Sequence, residues 1–144
     1  MSKVESADLI LKLYDLRRED TMRKARDWMF GFNPASAQDF MQTMMDPEVG
    51  GYLRMVGSYW NMAASFVNHG AIDADMFNDT AGEHVMVFAK IEPFLGELRE
   101  MWQNPEAFQH LEKVVMDAPN GAEKLSKTQA WLKTMAEQAD SAAA

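Results

Sequence analysis

The sequence contains three histidines, His69, His84 and His110, whose side chains suit metal binding or proton transfer near neutral pH. A zinc site of the H-E-x-x-H type needs two histidines on neighbouring helical turns, and these three are too far apart for it. A di-iron bundle needs Glu-x-x-His pairs, whereas Glu106 and His110 are separated by four positions. The sequence therefore predicts no native metal, and ordinary hydrogen bonding is the expected role of His84.

The acidic segment 73–79, which reads Asp-Ala-Asp-Met-Phe-Asn-Asp, has the composition of a calcium-binding loop. An EF-hand loop, however, needs an oxygen ligand where Phe77 stands, a glycine where Asn78 stands and a bidentate glutamate where His84 stands. The sequence therefore favours helix capping by Asp73 over calcium binding.

The sequence lacks the motifs that are typical of nucleophilic catalysis and of nucleotide binding. The chain contains no cysteine, which excludes a disulfide, a thiolate metal site and a cysteine nucleophile. It also contains no G-x-S-x-G turn and no P-loop. Nothing positive points to an enzyme, so we expect a non-enzymatic protein without a cofactor.

The aromatic residues that could line a ligand site lie on a helix of low charge in the middle of the chain. Between Val49 and Val67 the only charged residue is Arg54, and apolar residues occur all round. A helix of this kind is buried on most of its surface. Asp46 is its predicted N-cap, and Pro47 is its predicted first residue.

A ligand pocket is predicted near Tyr52, Tyr59 and Trp60 of this helix, together with His69 and His84. Aromatic rings offer apolar walls with polar tips, which suits a ligand site but equally suits an ordinary core. A small-molecule-binding or metal-binding bundle is therefore one of two hypotheses for this chain.

The N-terminal segment is predicted to form one long helix from an N-cap at Ser6 to a stop at Gly31 and Pro34. Its apolar spacing slips in phase across residues 17–20, and its charged middle is predicted to face solvent or a partner. The apolar residues that flank this middle are the predicted interaction residues, namely Leu9, Leu13, Trp28 and Met29.

The remaining boundaries come from capping residues, glycine and proline. They are Ser36 before a short helix at 37–45, Gly70 and Asp73 around a further turn or two, a kink at Pro93, a helix start at Asn104-Pro105, and a turn at 118–121. No segment shows the alternation of a strand. We predict a single all-α domain over residues 1–144, a bundle of about five to six helices around a buried central helix, with a frayed tail at 141–144.

The charge and hydropathy of the chain limit its partners. A net charge of −8 repels phosphate backbones and anionic lipid surfaces, so nucleic acid is not an expected partner. No apolar run is long enough to span a membrane, and the first residues lack the layout of a signal peptide. We expect an acidic cytoplasmic protein whose partner is another protein or a second copy of itself.

Methionine is unusually frequent, with thirteen in the chain. Three of them, Met41, Met44 and Met45, lie close together without the histidine or cysteine that would favour copper. Methionine fills irregular cores and also forms adaptable binding surfaces. The sequence favours core for the segment 41–45 and leaves interface open.

Several short motifs resemble a bacterial family catalogued as domain of unknown function 4760. They are Leu13-Tyr14-Asp15-Leu16-Arg17, Ala25-Arg26, Tyr59-Trp60-Asn61, Asn68-His69-Gly70-Ala71-Ile72-Asp73 and Ile91-Glu92-Pro93-Phe94-Leu95-Gly96-Glu97-Leu98-Arg99, within roughly residues 9 to 102. The resemblance implies a compact helical domain, found in some relatives behind an N-terminal membrane helix that this chain lacks. It implies no activity and no catalytic residues.

Three functions therefore remain possible. The first is a non-enzymatic interaction or assembly module that binds a protein partner or a second copy through helix faces. The alternative is the ligand-binding bundle, and an acidic mimic of nucleic acid follows from charge alone.

Overall fold

Helices make up nearly the whole of the computed structural model, which describes residues 2–143. Nine α-helices follow one another along this part of the chain, and no strand occurs within it. They are α1 Lys3–Leu16, α2 Asp20–Gly31, α3 Ala37–Met44, α4 Gly50–Asn68, α5 Ala74–Thr80, α6 Glu83–Ile91, α7 Leu95–Met101, α8 Gln109–Asp117 and α9 Gly121–Ala143. The all-α class is confirmed, but the helices outnumber the five to six predicted.

The predicted single helix at the N-terminus is wrong, because the chain breaks between α1 and α2. The Glu19 carboxylate accepts hydrogen bonds from the backbone N–H groups of Thr21 and Met22, at 3.1 and 2.9 Å, and so starts a new helix. A side-chain oxygen in this position satisfies N–H groups that a helix N-terminus leaves free. The slip in phase across residues 17–20 was the trace of this break in the sequence.

Ser6 is not the N-cap of the first helix. The N-cap is Ser2, which forms a capping box with Glu5. Ser6 is buried one turn further on, and its hydroxyl accepts a hydrogen bond of 3.0 Å from the backbone N–H of Asp73. The Ser6 side chain therefore joins α1 to the start of α5, where Asp73 is the N-cap as predicted.

Two other predicted helix starts are too early. The Asp46 carboxylate accepts hydrogen bonds from the N–H groups of Glu48 and Val49 within a turn, and α4 begins only at Gly50. The Asn104-Pro105 segment also forms turns, and α8 begins after Phe108, whose φ is 58°. Asp46 and Asn104 therefore cap turns rather than helices, since their side-chain oxygens can accept hydrogen bonds from backbone N–H groups in either structure.

Other predicted boundaries are confirmed. Ser36 caps α3, since its hydroxyl accepts a hydrogen bond from the N–H of Asp39. Gly70 has a φ of 79° after α4. Pro93 lies in the 3-10 turn Glu92–Phe94, which joins α6 to α7 and supplies the kink.

The central helix is buried on one side, with eight of its 19 residues buried, so the predicted burial holds for only part of its surface. α4 packs between α2 and α8, and α6 lies beneath it. The buried residues of α4 are Gly50, Leu53, Val56, Gly57, Tyr59, Trp60, Ala63 and Ala64. One face of α4 remains open, and its composition is described with the candidate sites.

A buried lysine joins α6 to the end of α2. The Lys90 ammonium donates hydrogen bonds to the carbonyl oxygens of Phe30 and Phe32, at 3.1 and 2.7 Å, and to Oδ1 of Asn33. Burial lowers the pKa of Lys90 to about 8. These oxygens lie at the C-terminus of α2, where carbonyl groups lack helical partners and favour a cation.

The last helix, α9, packs along α6 and α8 through its first half. Leu125 is buried, and the Gln129 side chain donates hydrogen bonds to the Ala89 carbonyl and the Glu92 carboxylate. The helix continues to Ala143, fraying of residues 141–143 stays a prediction, and Ala144 lies outside the described residues. No helix in residues 2–143 is long and apolar enough to cross a membrane.

Candidate functional sites

A small pocket, which we call the aromatic pocket, lies between α1, α4 and α5. Its volume is about 190 Å³. Apolar and aromatic side chains form most of its walls, namely Ile10, Leu13, Tyr14, Tyr59, Trp60 and Phe77. Two of these residues, Tyr59 and Trp60, were predicted to lie near a ligand site.

Arg17 brings a positive charge to this pocket. Its guanidinium carbon lies 4.8 Å from the centre of the Tyr14 ring and 5.4 Å from that of the Trp60 ring. A guanidinium over two aromatic faces is attracted by both and is held in place. Within the described residues Arg17 forms no ion pair, and Asp15 and Glu19 stand two positions away from it on either side in the chain.

A second arginine nearby is fully engaged. Arg26 donates hydrogen bonds from Nε and Nη2 to the Glu83 carboxylate, at 2.8 to 3.0 Å, and from Nη1 to the carbonyl of Arg17 at 3.3 Å. The Trp60 indole N–H donates to the same carboxylate at 3.4 Å. The cluster fixes the Trp60 ring and the end of α1, so the pocket wall is built on a rigid base.

Tyr59 and His84 are less available than the sequence suggests. The Tyr59 hydroxyl donates a hydrogen bond to the carbonyl of Leu13, and burial raises the Tyr59 pKa to about 12. His84 is 2% exposed and lies behind the pocket wall, with its ring centre 4.9 Å from that of Phe77 and 5.7 Å from that of Trp60. Burial lowers the His84 pKa to about 4, so the ring is neutral, and its Nδ1 has no hydrogen-bond partner among the described residues.

The other two predicted ligand residues lie elsewhere. Tyr52 packs against Trp28, with ring centres 6.4 Å apart, on the side of α4 that faces α2. His69 is exposed after the end of α4, and the centre of its ring lies 5.7 Å from that of His110. Within residues 2–143 no three histidine or carboxylate side chains cluster as metal ligands would.

The predicted interaction residues are mostly parts of the core. Met29 is 0% exposed and Leu13 is 7% exposed, while Leu9 and Trp28 are half-buried against the same core. These four residues therefore form no exposed helix face. The large apolar side chains that α1 does expose are different ones, namely Val4, Leu11, Tyr14 and Leu16.

The open face of α4 carries an apolar seam with a repeating pattern. Gly51, Met55, Ser58, Met62 and Ser65 follow one another at alternating steps of four and three residues, and we call them the outer seam. The two methionines are 37% and 39% exposed. No charged residue occurs in α4 after Arg54.

A groove runs beside the outer seam, between α4 and the junction of α1 with α2. Its volume is about 460 Å³. Leu16, Met55 and Met62 form its exposed edges, whereas Met22 and Tyr59 are buried at its floor. Glu19 contributes a polar residue to the lining. Flexible methionine side chains allow such a surface to adapt to the shape of a partner.

The methionines at 41–45 divide between core and surface. Met44 packs against the core, and the Met41 sulfur accepts a hydrogen bond of 3.0 Å from the Trp102 indole N–H. Met45 is 70% exposed. The segment is therefore neither wholly core nor wholly interface.

The aromatic pocket depends on three residues that the sequence argument missed. Tyr14, Arg17 and Phe77 were not identified as pocket residues. The available signal was the spacing of Ile10, Leu13, Tyr14 and Arg17, which places all four on one side of α1. The spacing of residues in α1 does not predict that α5 packs over this side.

Comparison with known proteins gives a family and no more. The family model described as a domain of unknown function (DUF4760) matches residues 3–117, from the start of α1 to the end of α8. No curated protein and no solved structure matches the chain. The match contains both the aromatic pocket and the outer seam, and it ends before α9.

Proposed function

Since this chain belongs to the DUF4760 family, whose description names no activity, we propose its function from its surface: it is a non-enzymatic assembly module that pairs with a second copy of itself. The outer seams of two copies pack antiparallel against each other. The observation that carries this proposal is the alternation of large and small residues along an exposed helix face that contains no acidic residue.

The outer seam is complementary to itself when two copies run antiparallel. Steps of four and three residues place one stripe of a helix against a partner helix over several turns. In an antiparallel pair, Met62 lies over Ser58 of the second copy, and Met55 lies over Ser65 of the second copy. Each large side chain therefore meets a small one, which lets the two backbones approach closely. The twofold symmetry repeats both contacts.

The charge of the protein supports pairing through this face. At a net charge of −8, two copies repel each other over most of their surfaces. No acidic side chain belongs to the outer seam, and the charged residue on the same exposed face of α4 is Arg54, three positions after Gly51 and four before Ser58, so this face adds no negative charge. Leu16 and the methionine-lined groove extend the apolar area to the side of α2.

Light scattering coupled to size-exclusion chromatography tests the proposal. We expect a dimer at high micromolar concentration, and we expect Met62→Glu to yield a monomer because it places an unpaired carboxylate inside the seam. This change should weaken association by at least about tenfold. Met135→Glu is the matched control, since Met135 is 45% exposed and lies on α9.

Cross-linking tests the register, because the chain contains no cysteine of its own. A mixture of the single variants Ser58→Cys and Met62→Cys should form a mixed disulfide, whereas a mixture containing Met135→Cys should not. A monomeric wild-type protein at high micromolar concentration would contradict self-association. A dimer unaffected by Met62→Glu would show that another surface pairs the copies.

A further inference from the structure

The break between α1 and α2 carries an inference that does not depend on the outer seam. We infer that this break can straighten into one continuous helix, and that α1 of each copy then occupies the place of α1 on a second copy. The partner is therefore a second copy of this chain, joined by the exchange of an identical helix.

The first helix, α1, is only lightly attached to the rest of the protein. Two of its 14 residues, Ser6 and Leu13, are buried, whereas α6 buries seven of its nine residues. The aromatic pocket, of about 190 Å³, lies between α1 and the helices beneath it. Single hydrogen bonds join α1 to its neighbours, including those from the Asp73 N–H to Ser6 and from the Tyr59 hydroxyl to the Leu13 carbonyl. We therefore expect α1 to separate more easily than the helices of the core.

The break itself contains no residue that prevents a helix. Arg17, Arg18 and Glu19 are not poor helix formers, and neither glycine nor proline lies among them. Arg17 already has helical angles, with φ −67° and ψ −18°. Glu19 has a helical φ of −62° and an extended ψ of 142°, so a continuous helix requires rotation about ψ at this residue. The Glu19 carboxylate caps α2 and so favours the break.

The apolar pattern indicates which way α1 would face on a continuous helix. Leu13 and Met22 are nine positions apart, which at about 100° per residue places them on opposite sides of a helix. Met22 and Met29 are buried in the core of their own chain. The apolar side of α1 would therefore face away from that core, where a second copy can cover it.

The place that α1 leaves fits α1 of a second copy, because the two helices are identical. The exchanged helix forms the same hydrogen bonds with Asp73 and Tyr59. One contact at the break, from Arg26 Nη1 to the Arg17 carbonyl at 3.3 Å, is replaced by a helical hydrogen bond. The two states therefore differ mainly in the break and in the entropy lost on pairing, so protein concentration and the residues of the break govern the exchange.

Incubation of the Met62→Glu variant tests the exchange, because the outer seam should not pair in that protein. We expect protein that is held at high concentration near its thermal midpoint, then cooled and diluted, to contain a dimer that light scattering still detects after hours. A seam dimer would dissociate on dilution, whereas an exchanged dimer must first release both helices. A freshly purified Met62→Glu protein that is already dimeric would contradict the outer seam and leave the exchange to the variants of the break.

Asp20→Pro in the same background tests whether the helix becomes continuous. Asp20 is the first residue of α2, where proline is favoured, and the extended ψ of Glu19 suits a residue before proline. Inside a continuous helix the same proline should lower the equilibrium constant for exchange at least about hundredfold. Asp20→Ala is the matched control, since it removes the same carboxylate without restricting the backbone, and it should exchange like the parent.

Glu19→Ala should have the opposite effect. Each of the two chains loses the cap that favours the break, so the equilibrium constant for exchange should rise by about tenfold. Circular dichroism establishes that each variant is folded. Three results would overturn the inference: a Met62→Glu protein that stays monomeric after incubation, a persistent dimer that forms equally in Asp20→Pro, and exchange that Glu19→Ala does not increase.

Discussion

The two faces of α4 use apolar residues in different ways. The inward face contains Leu53, Val56, Trp60 and Ala63, none of which is more than 3% exposed. The outward face places flexible methionine beside glycine and serine, and its methionines are more than a third exposed. Branched and aromatic side chains define one packing arrangement, whereas methionine next to small residues tolerates several. A helix that is apolar on most sides can therefore combine a core face with a face that stays exposed to solvent.

Replacing a large residue on each face tests this contrast most directly. Trp60→Ala should lower the free energy of unfolding by ~3 to 5 kcal/mol, because it empties a site in the core. Met62→Ala should cost less than about 1 kcal/mol, because a surface position loses few contacts within the monomer. Urea unfolding at low protein concentration measures both. Similar losses for the two variants would remove the distinction between the faces.

The ion pair that anchors the inward face is the next most sensitive feature. Glu83→Gln leaves the Arg26 guanidinium without its counter-charge and should lower the free energy of unfolding by about 2 to 3 kcal/mol. The value is below that of a fully buried pair because the Arg26 side chain is 27% exposed. Glu112→Gln, which removes the more exposed partner of Arg99, is the control and should cost less than about 1 kcal/mol. If urea unfolding shows equal losses for Glu83→Gln and Glu112→Gln, then the Arg26–Glu83 pair is as exposed to solvent as the Arg99–Glu112 pair.

His84, behind the inward face, should make stability depend on pH. Burial lowers its pKa from 6.5 to about 4, so the unfolded chain takes up this proton at higher pH than the folded one. The contribution is complete above pH 6.5 and is lost as the pH falls from there to about 4. Between pH 7 and pH 5 the free energy of unfolding should fall by about 2 kcal/mol from this group.

Urea unfolding across that pH range measures this effect, with His84→Gln as the comparison. The variant should lose most of the slope, while a matched change at the exposed His69 should not alter it. If His84→Gln keeps the full slope, then other groups cause the pH dependence.

Local signals in the sequence were sufficient for part of the fold. The low charge from Val49 to Val67 identified the central helix, and Gly70 and Pro93 marked real boundaries because their backbone preferences act locally. The break before Glu19 was missed, because a glutamate at an N-cap is less usual than serine or aspartate. Asp46 was assigned to a helix although it caps a turn, since both uses satisfy the same kind of N–H group.

The candidate sites were harder to predict for a physical reason. Tyr59 and Trp60 could be identified because they are aromatic residues on a buried helix. Arg17 could not be identified, because the sequence does not show that Arg26, rather than Arg17, forms the ion pair with Glu83. The outer seam was also missed, because Met62 and Val56 are both apolar. Hydropathy alone therefore does not show that Met62 is exposed and Val56 is buried.

The hydrogen bonds of Lys90 make its amine a probe of the last steps of folding. They join residues 60 and 58 positions apart in the chain, so they form only after α6 has docked against the end of α2. In the native protein Lys90 is 6% exposed and its amine is hydrogen-bonded to three oxygens, whereas the lysines of α9 are exposed to solvent. An amine-reactive reagent will therefore label the lysines of α9 rapidly and Lys90 only when α6 and α2 separate. The reaction of this one side chain reports the opening of the core.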